Sequence, residues 1–233
     1  MSERKEIAWS QIYRPRTIED CILPQRLKTS FQKYVNDGAV PSLTLTGTPG
    51  VGKTTVAKAM LEQIGCDYLV INGSSDNGIG ILRTRMTNYA TSLSMNGKRK
   101  VIIIDEADYL TPECQAAMRG VIEDVSDNCS FILTCNFKSK LIPALHSRAP
   151  IIEFRLVNEE RPAMAQELLG RIKDILTKEK VTWTDDSVLI EVIMKYFPDY
   201  RKILNTLQHH AAQCNNVITT EILSDGVGGN IQE

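Results

Sequence analysis

"GTPGVGKTT", residues 47 to 55, fits the pattern G-x-x-x-x-G-K-[ST]. The β-branched run "SLTLT" (42–46) precedes it and a helical run, "TTVAKAMLEQI" (54–64), continues from it. That is the strand–loop–helix setting in which such a loop holds phosphate. Its glycines let backbone N–H groups curl around phosphate oxygens, and the helix N-terminus adds partial positive charge. Lys53 can reach the β- and γ-phosphates, and the Thr54 hydroxyl can ligate Mg²⁺. Thr48, Pro49, Gly50, Val51 and Gly52 complete the loop with Lys53, Thr54 and Thr55 as nucleotide contacts. ATP and Mg²⁺ are the expected ligands.

Further short apolar runs lie outward from this loop: "YLVI" (68–71), "VIIID" (101–105), "SFILT" (130–134) and "IIEF" (151–154). They are nearly continuous rather than alternating, as strands buried on both faces of a parallel sheet are. Helical spacing falls between them, at Leu27, Phe31 and Tyr34 and at Leu82, Met86, Tyr89 and Leu93. "TPECQAAMRGVIE" opens with Thr111 as N-cap and Pro112 at the first helical position. Alternating strand and helix predicts an α/β fold with a five-stranded parallel sheet between helices, spanning 1–156. Strand signals stop there. Met164, Leu168, Ile172 and Ile175 share one helix face with Asn158 as cap, and helical segments follow at 185–197, 199–214 and 219–225. The expectation is a small all-helical second domain over 157–233.

The chain of 233 residues carries 42% hydrophobic and 24% charged residues, an ordinary globular balance. No apolar run reaches the roughly 18 residues of a membrane span. The start "MSERKEIAWSQ" lacks the apolar core of a secretory signal, so a cytoplasmic location without a membrane is expected. The six cysteines form no C-x-x-C pair and read as reduced thiols. Net charge is −1, which argues against a generally basic coat for nucleic acid. Two windows nevertheless lack acids. Asn77 to Ile104 carries Arg83, Arg85, Lys98, Arg99 and Lys100, and Cys129 to Ile152 carries Lys138, Lys140 and Arg148. This fits a polyanion held at one face, and it equally fits solvated loops and helix ends.

"VIIIDEAD" (101–108) delivers Asp105 and Glu106 at the carboxyl end of a buried strand. Asp105 suits Mg²⁺, directly or through water, and Glu106 beside it suits a water poised to attack the γ-phosphate. A kinase keeps water out, so a general base next to the metal carboxylate points to hydrolysis. Asn136, in "TCN", can lie between the strands of the phosphate loop and of Asp105, and hydrogen-bond the attacking water or the γ-phosphate. Arg148, in "LHSRAP" (145–150), has no acid within four positions and is flanked by apolar chain.

The series "YRP", "GTPGVGKTT", "IIIDEAD", "TCN", "HSRAP" and "PDYRKILNTLQ" resembles the AAA+ ATPase subunits of sliding-clamp loaders. The similar types are replication factor C small subunits and the clamp-loader ATPase of tailed phages. The resemblance runs from about Ile7 to Gly229. It implies that Tyr13, Arg14 and Pro15 neighbour the nucleotide. It implies that Arg148 is an arginine finger reaching the ATP of an adjacent subunit, with Ala149 in place of the motif's cysteine. Arg201, in "PDYRK", matches the sensor arginine of the helical lid. Arg83, and Arg85 behind it, match phosphate contacts to DNA, and Gln115 matches a position linking the DNA-facing helix to the strand of Asp105. The implied partners are other clamp-loader subunits in a hetero- or homo-oligomeric ring with the active site completed in trans, a sliding clamp, and primer–template DNA. A nuclear location is implied for a eukaryotic member and the host cytoplasm for a phage one. Family members continue into a helical collar that this chain does not reach, so weak isolated oligomerisation is expected.

The implied activity is DNA-stimulated, Mg²⁺-dependent ATP hydrolysis coupled to loading a ring clamp. The alternative is a subunit of the same assembly that binds nucleotide without hydrolysing it. Intact Lys53, Glu106 and Arg148 argue against it. A small-molecule kinase leaves Arg148 and the helical lid unexplained, and the chain is too short for the two domains of a DEAD-type helicase.

Overall fold

Along β3 (Lys100–Asp105) the side chains alternate between two cores. Val101 and Ile103 pack with Leu43, Leu45, Ile132 and Phe31. Ile102 and Ile104 pack with Ile71, Phe131, Leu133 and Met118. A strand buried on both faces has no polar side to show, so its sequence reads as one apolar run. The computed structural model describes residues 7–75, 78–94 and 97–223.

The other strands of this sheet are β1 (Leu43–Thr46), β2 (Tyr68–Asn72), β4 (Cys129–Cys135) and β5 (Ile151–Glu153). The spatial order is β2-β3-β4-β1-β5 and every pairing is parallel. All five expected strands are present, within two residues of their expected ends. Helices α2 (Gln25–Asp37) and α3 (Lys53–Ile64) contribute Leu27, Phe31, Val56 and Met60 to one core. Helices α4 (Ile79–Thr91) and α5 (Pro112–Asp124) contribute Leu82, Met86, Met118 and Ile122 to the other. Each such side chain contributes about 1.5–3 kcal/mol by leaving water. The short helix α6 (Pro143–His146) precedes β5. Thr111 caps α5, its side chain accepting from the Cys114 N–H at 3.3 Å with Pro112 in the first turn.

This sheet unit spans Pro15–Arg155. Among the described residues, the second unit joins 156–223 to residues 7–14. It holds α1 (Trp9–Ile12), α7 (Arg161–Lys178), α8 (Asp186–Tyr196) and α9 (Tyr200–Gln213). Residues 7–14 therefore pack with the helical unit, not with the sheet to which the chain order assigns them. Trp9 is buried there, its N–H donates to Gln208 Oε1 at 2.8 Å, and Gln208 Nε2 donates back to the Ile7 carbonyl at 3.3 Å. An aromatic ring that large outweighs adjacency in the chain.

Four other expectations change. Leu93 is 95% exposed and lies beyond the end of α4, so the helical period read through it does not continue. Asn158 does not cap α7, whose N-cap position is Glu160. Strand pairing continues past residue 156, because β6 (Thr182–Trp183) pairs in parallel with β7 (Val217–Ile218). The segment expected to be helical at 219–225 is a 3-10 turn at Thr220–Leu223, and the tail "DGVGGNIQE" lies outside the described residues.

The basic run at 98–100 is tied to helix ends. Lys98 Nζ donates to the Ile64 carbonyl closing α3, and Arg99 to the Ser126 carbonyl just past α5. Lys100, buried, donates to the Tyr89 carbonyl at 2.9 Å and to the Ser92 carbonyl, closing α4. Three consecutive cations thus meet the negative C-terminal ends of three helices. Of the two readings of that acid-free window, helix ends account for these three. Arg83 stays exposed on α4, and Arg85 on the same helix is half-buried.

Candidate nucleotide site

The strand order sets β4 between β1 and β3, so the loops leaving all three converge at one edge. In open parallel sheets ligands bind at this carboxyl edge. The phosphate loop leaves β1 there. A Cβ on Gly47 would come within 2.9 Å of the Phe154 Cβ, so only glycine fits where the loop turns. Gly50 and Gly52 have φ of 79° and 89°, a region that glycine adopts without strain. Gly52 is the N-cap residue of α3, which begins at Lys53. Val51 is buried in the core beneath, anchoring the loop, while Thr48 and Pro49 are exposed and Thr55 is half-buried.

Lys53 is buried, and its ammonium donates to the Gly47 carbonyl (2.7 Å), the Thr48 carbonyl (2.9 Å) and Asn136 Oδ1 (2.9 Å). The last bond joins the loop after β1 to the loop after β4. The Thr54 hydroxyl donates to Asp105 Oδ1 at 2.6 Å, and the Thr134 hydroxyl donates to the same oxygen at 2.5 Å. Hydroxyl and carboxylate oxygens brought together in this way suit a hard divalent cation such as Mg²⁺, so the donor set fits the expected metal. Glu106 adopts the left-handed conformation (φ 57°, ψ 44°), and its N–H donates to Thr134 Oγ1 at 3.1 Å. For a residue with a Cβ that conformation costs on the order of 1–3 kcal/mol.

Thr134 is a site residue that the sequence reading passes over. It is 1% exposed, and it orients both acids, donating to Asp105 and accepting from Glu106. Its signal was a hydroxyl at the carboxyl end of a strand whose middle is apolar. Gly73 is another. It follows β2, its N–H donates to the Asp105 carbonyl at 2.7 Å, and an added Cβ would lie 2.5 Å from the Glu106 carbonyl oxygen.

Arg148 follows α6 and is not without a partner. Its guanidinium pairs with Glu123 near the end of α5, and it donates to the Ala144 carbonyl at 2.8 Å. Arg119 Nε approaches the same carboxylate oxygen at 3.7 Å. A search four residues either side of Arg148 misses a partner 25 positions upstream. Gln115 is buried and satisfied, donating to the Leu110 and Lys140 carbonyls at 3.0 Å each and accepting from the Ile142 N–H at 2.8 Å.

Tyr13, Arg14 and Arg201 belong to the helical unit, and Pro15 begins the sheet unit. The Tyr13 hydroxyl donates to Glu179 Oε1 at 2.5 Å, and its carbonyl accepts from Arg171 at 3.2 Å. Burial, and then the Glu179 carboxylate, push the Tyr13 phenol up to about 12, so it stays a neutral donor. Arg14 is half-buried, and Arg201 is exposed in the first turn of α9, where the Asp199 side chain caps the helix by accepting from the Lys202 N–H at 2.9 Å.

Two family descriptions match the chain. Residues 43–156 match the ATPase family associated with various cellular activities (AAA), and residues 160–224 match the AAA+ ATPase lid domain of the sliding-clamp-loader large subunit. The sliding-clamp-loader large subunit of Enterobacteria phage T4 is 36% identical over 223 residues, covering 94% of this chain and 69% of that protein. A replication factor C small subunit of Methanococcus maripaludis is 34% identical over 221 residues, covering 92% and 68%. Replication factor C subunit 5 of Homo sapiens is 35% identical over 211 residues, covering 88% and 60%. Among solved structures, the Thermotoga maritima RuvB Holliday junction branch migration motor superposes with a TM-score of 0.65 at 23% identity. That alignment covers 91% of this chain and 71% of RuvB, and it speaks to the fold.

Proposed function

The chain belongs to the AAA ATPases of the sliding-clamp-loader type, and from that membership we propose that it binds and hydrolyses ATP to drive the loading of a ring clamp onto primer–template DNA. The observation that carries this reading is the convergence of Lys53, Thr54, Asp105 and Asn136 at one sheet edge, with Glu106 next to Asp105. Lys53 would exchange the carbonyls of Gly47 and Thr48 for phosphate oxygens, with Asn136 beside it at the γ-phosphate. Thr54 and Asp105 would hold Mg²⁺, which when bound offsets phosphate charge. Glu106 would polarise the attacking water. Arg148 would leave Glu123 and serve a neighbouring subunit's nucleotide, where a cation stabilises charge developing in the transition state. Tyr13, Arg14 and Pro15 would line the adenine, and Arg201 would report the γ-phosphate to the helical unit. Arg83 and Arg85 on α4 would meet DNA phosphates, which position a duplex without reading it.

The test is steady-state ATP turnover per chain as protein concentration rises, with and without primer–template DNA and a sliding clamp. Turnover should climb with concentration and climb again with DNA. Arg148→Ala should keep nucleotide affinity and lose the stimulated rate by about 10³-fold or more. Wild-type stimulation in that variant would remove Arg148 from the site.

A further inference from the structure

One acid beside the site has no assigned part. Asp108 lies in the 3-10 turn Ala107–Tyr109 that follows β3, and it is 6% exposed. Its Oδ2 accepts from two successive backbone N–H groups of the loop after β4, Asn136 at 3.2 Å and Phe137 at 3.2 Å. The neighbouring side chains join the same two loops at the surface. Tyr109 and Phe137 are both exposed, and the Lys140 ammonium lies over each ring, at 5.6 Å and 5.2 Å from the centroids. A buried carboxylate is costly unless hydrogen bonds offset it, and here two backbone N–H groups of one loop supply them. What a carboxylate supplies here is direction. By holding the N–H groups of 136 and 137 it fixes the backbone from which the Asn136 side chain departs, and that side chain meets Lys53 at 2.9 Å.

We propose that Asp108 is a positioning residue for hydrolysis, acting through Asn136: its carboxylate pins the loop after β4 to the turn after β3 and so aims the Asn136 amide at Lys53 and the γ-phosphate. This rests on the hydrolytic reading above. The motif "DEAD" then divides by role, with Asp105 for the metal, Glu106 for water and Asp108 for the neighbouring loop.

The experiment is a double-mutant cycle on the full chain with its DNA and clamp. Asp108→Ala, Asn136→Ala and the double variant would be compared for kcat at saturating ATP, for binding of a fluorescent nucleotide, and for amide hydrogen exchange at residues 136 and 137. Asp108→Ala should lower kcat about 10- to 100-fold, leave nucleotide affinity within about 3-fold, and speed exchange at both amides. In the Asn136→Ala background the same change should cost less than about 2-fold, because its target is gone. Asp108→Asn keeps an acceptor oxygen and should recover most of the rate. Equal loss in both backgrounds, or affinity falling in step with kcat, would mean a structural role only and would overturn the inference. Turnover that Asp108→Ala leaves unchanged would overturn it while sparing the hydrolytic reading. No turnover by the unsubstituted chain would overturn both.

Discussion

Glu106, proposed above to polarise the attacking water, is closely boxed in by Gly73. The left-handed turn at Glu106 presses its carbonyl toward the residue after β2, and only a hydrogen fits on that Cα. Gly73→Ala would have to move backbone, not the far end of a flexible side chain. The expected cost is about 1–3 kcal/mol of stability. Turnover should fall about tenfold or more, because a displacement of even 1 Å at a reacting group is expensive. Thermal unfolding and kcat measured on one preparation check both. In the sequence Gly73 reads as a turn residue after an apolar run, since the carbonyl it must clear is 33 positions away. The same blindness hid Glu123 from Arg148, Thr134 from the two acids it orients, and Asp108 from the loop it holds. Residues that touch the phosphate loop were legible because their spacing along the chain carries the chemistry. Residues that act across strands were not, because only the fold brings them together.

Among the elements, strands were read most securely, since a two-faced buried strand writes its apolar run without interruption. Helix ends were read least well. The period through Leu82, Met86 and Tyr89 runs on to Leu93, but the chain leaves the helix at Ser92, where Lys100 gathers the last carbonyls. The two-residue strands β6 and β7 are too short to show any period. At the start of α8, Asp186 accepts from Lys173 Nζ at 2.5 Å and from Trp183 Nε1 at 3.0 Å, tying α7, β6 and α8 together. The Lys173 bond, and then the Trp183 bond, hold its carboxyl below the ordinary value of 3.8. A depressed acid contributes stability above its unfolded value and loses it as pH falls through the folded one. Asp186→Asn should therefore be less stable than the unsubstituted chain at neutral pH, and the gap should close below pH 3.8. Urea midpoints of both chains between pH 7 and 3, followed by Trp183 fluorescence, check the sign.

For the whole molecule, the division into units has a practical consequence. Both tryptophans, Trp9 and Trp183, belong to the helical unit, so tryptophan fluorescence reports that unit alone. Trp9→Ala should cost about 3–5 kcal/mol. It should lower the melting of the helical unit as seen by Trp183, while hydrogen exchange in β1, β3 and β4 stays at the unsubstituted rate. Equal loss in those strands would show that the two units unfold as one. This arrangement is not legible along the chain, because the buried face of α1 is one turn long and its partner, α9, is almost two hundred residues away.

That arrangement also sets an order of events on the ribosome. Trp9 leaves the ribosome well before Gln208, its partner 199 positions later in the chain. Domains fold as units while the chain is still being made. The sheet, complete at Arg155, can therefore close while the N-terminal segment still waits, and that segment finds its place only when α9 leaves the exit tunnel. Until then the Trp9 ring stays uncovered, open to any chaperone that meets the nascent chain.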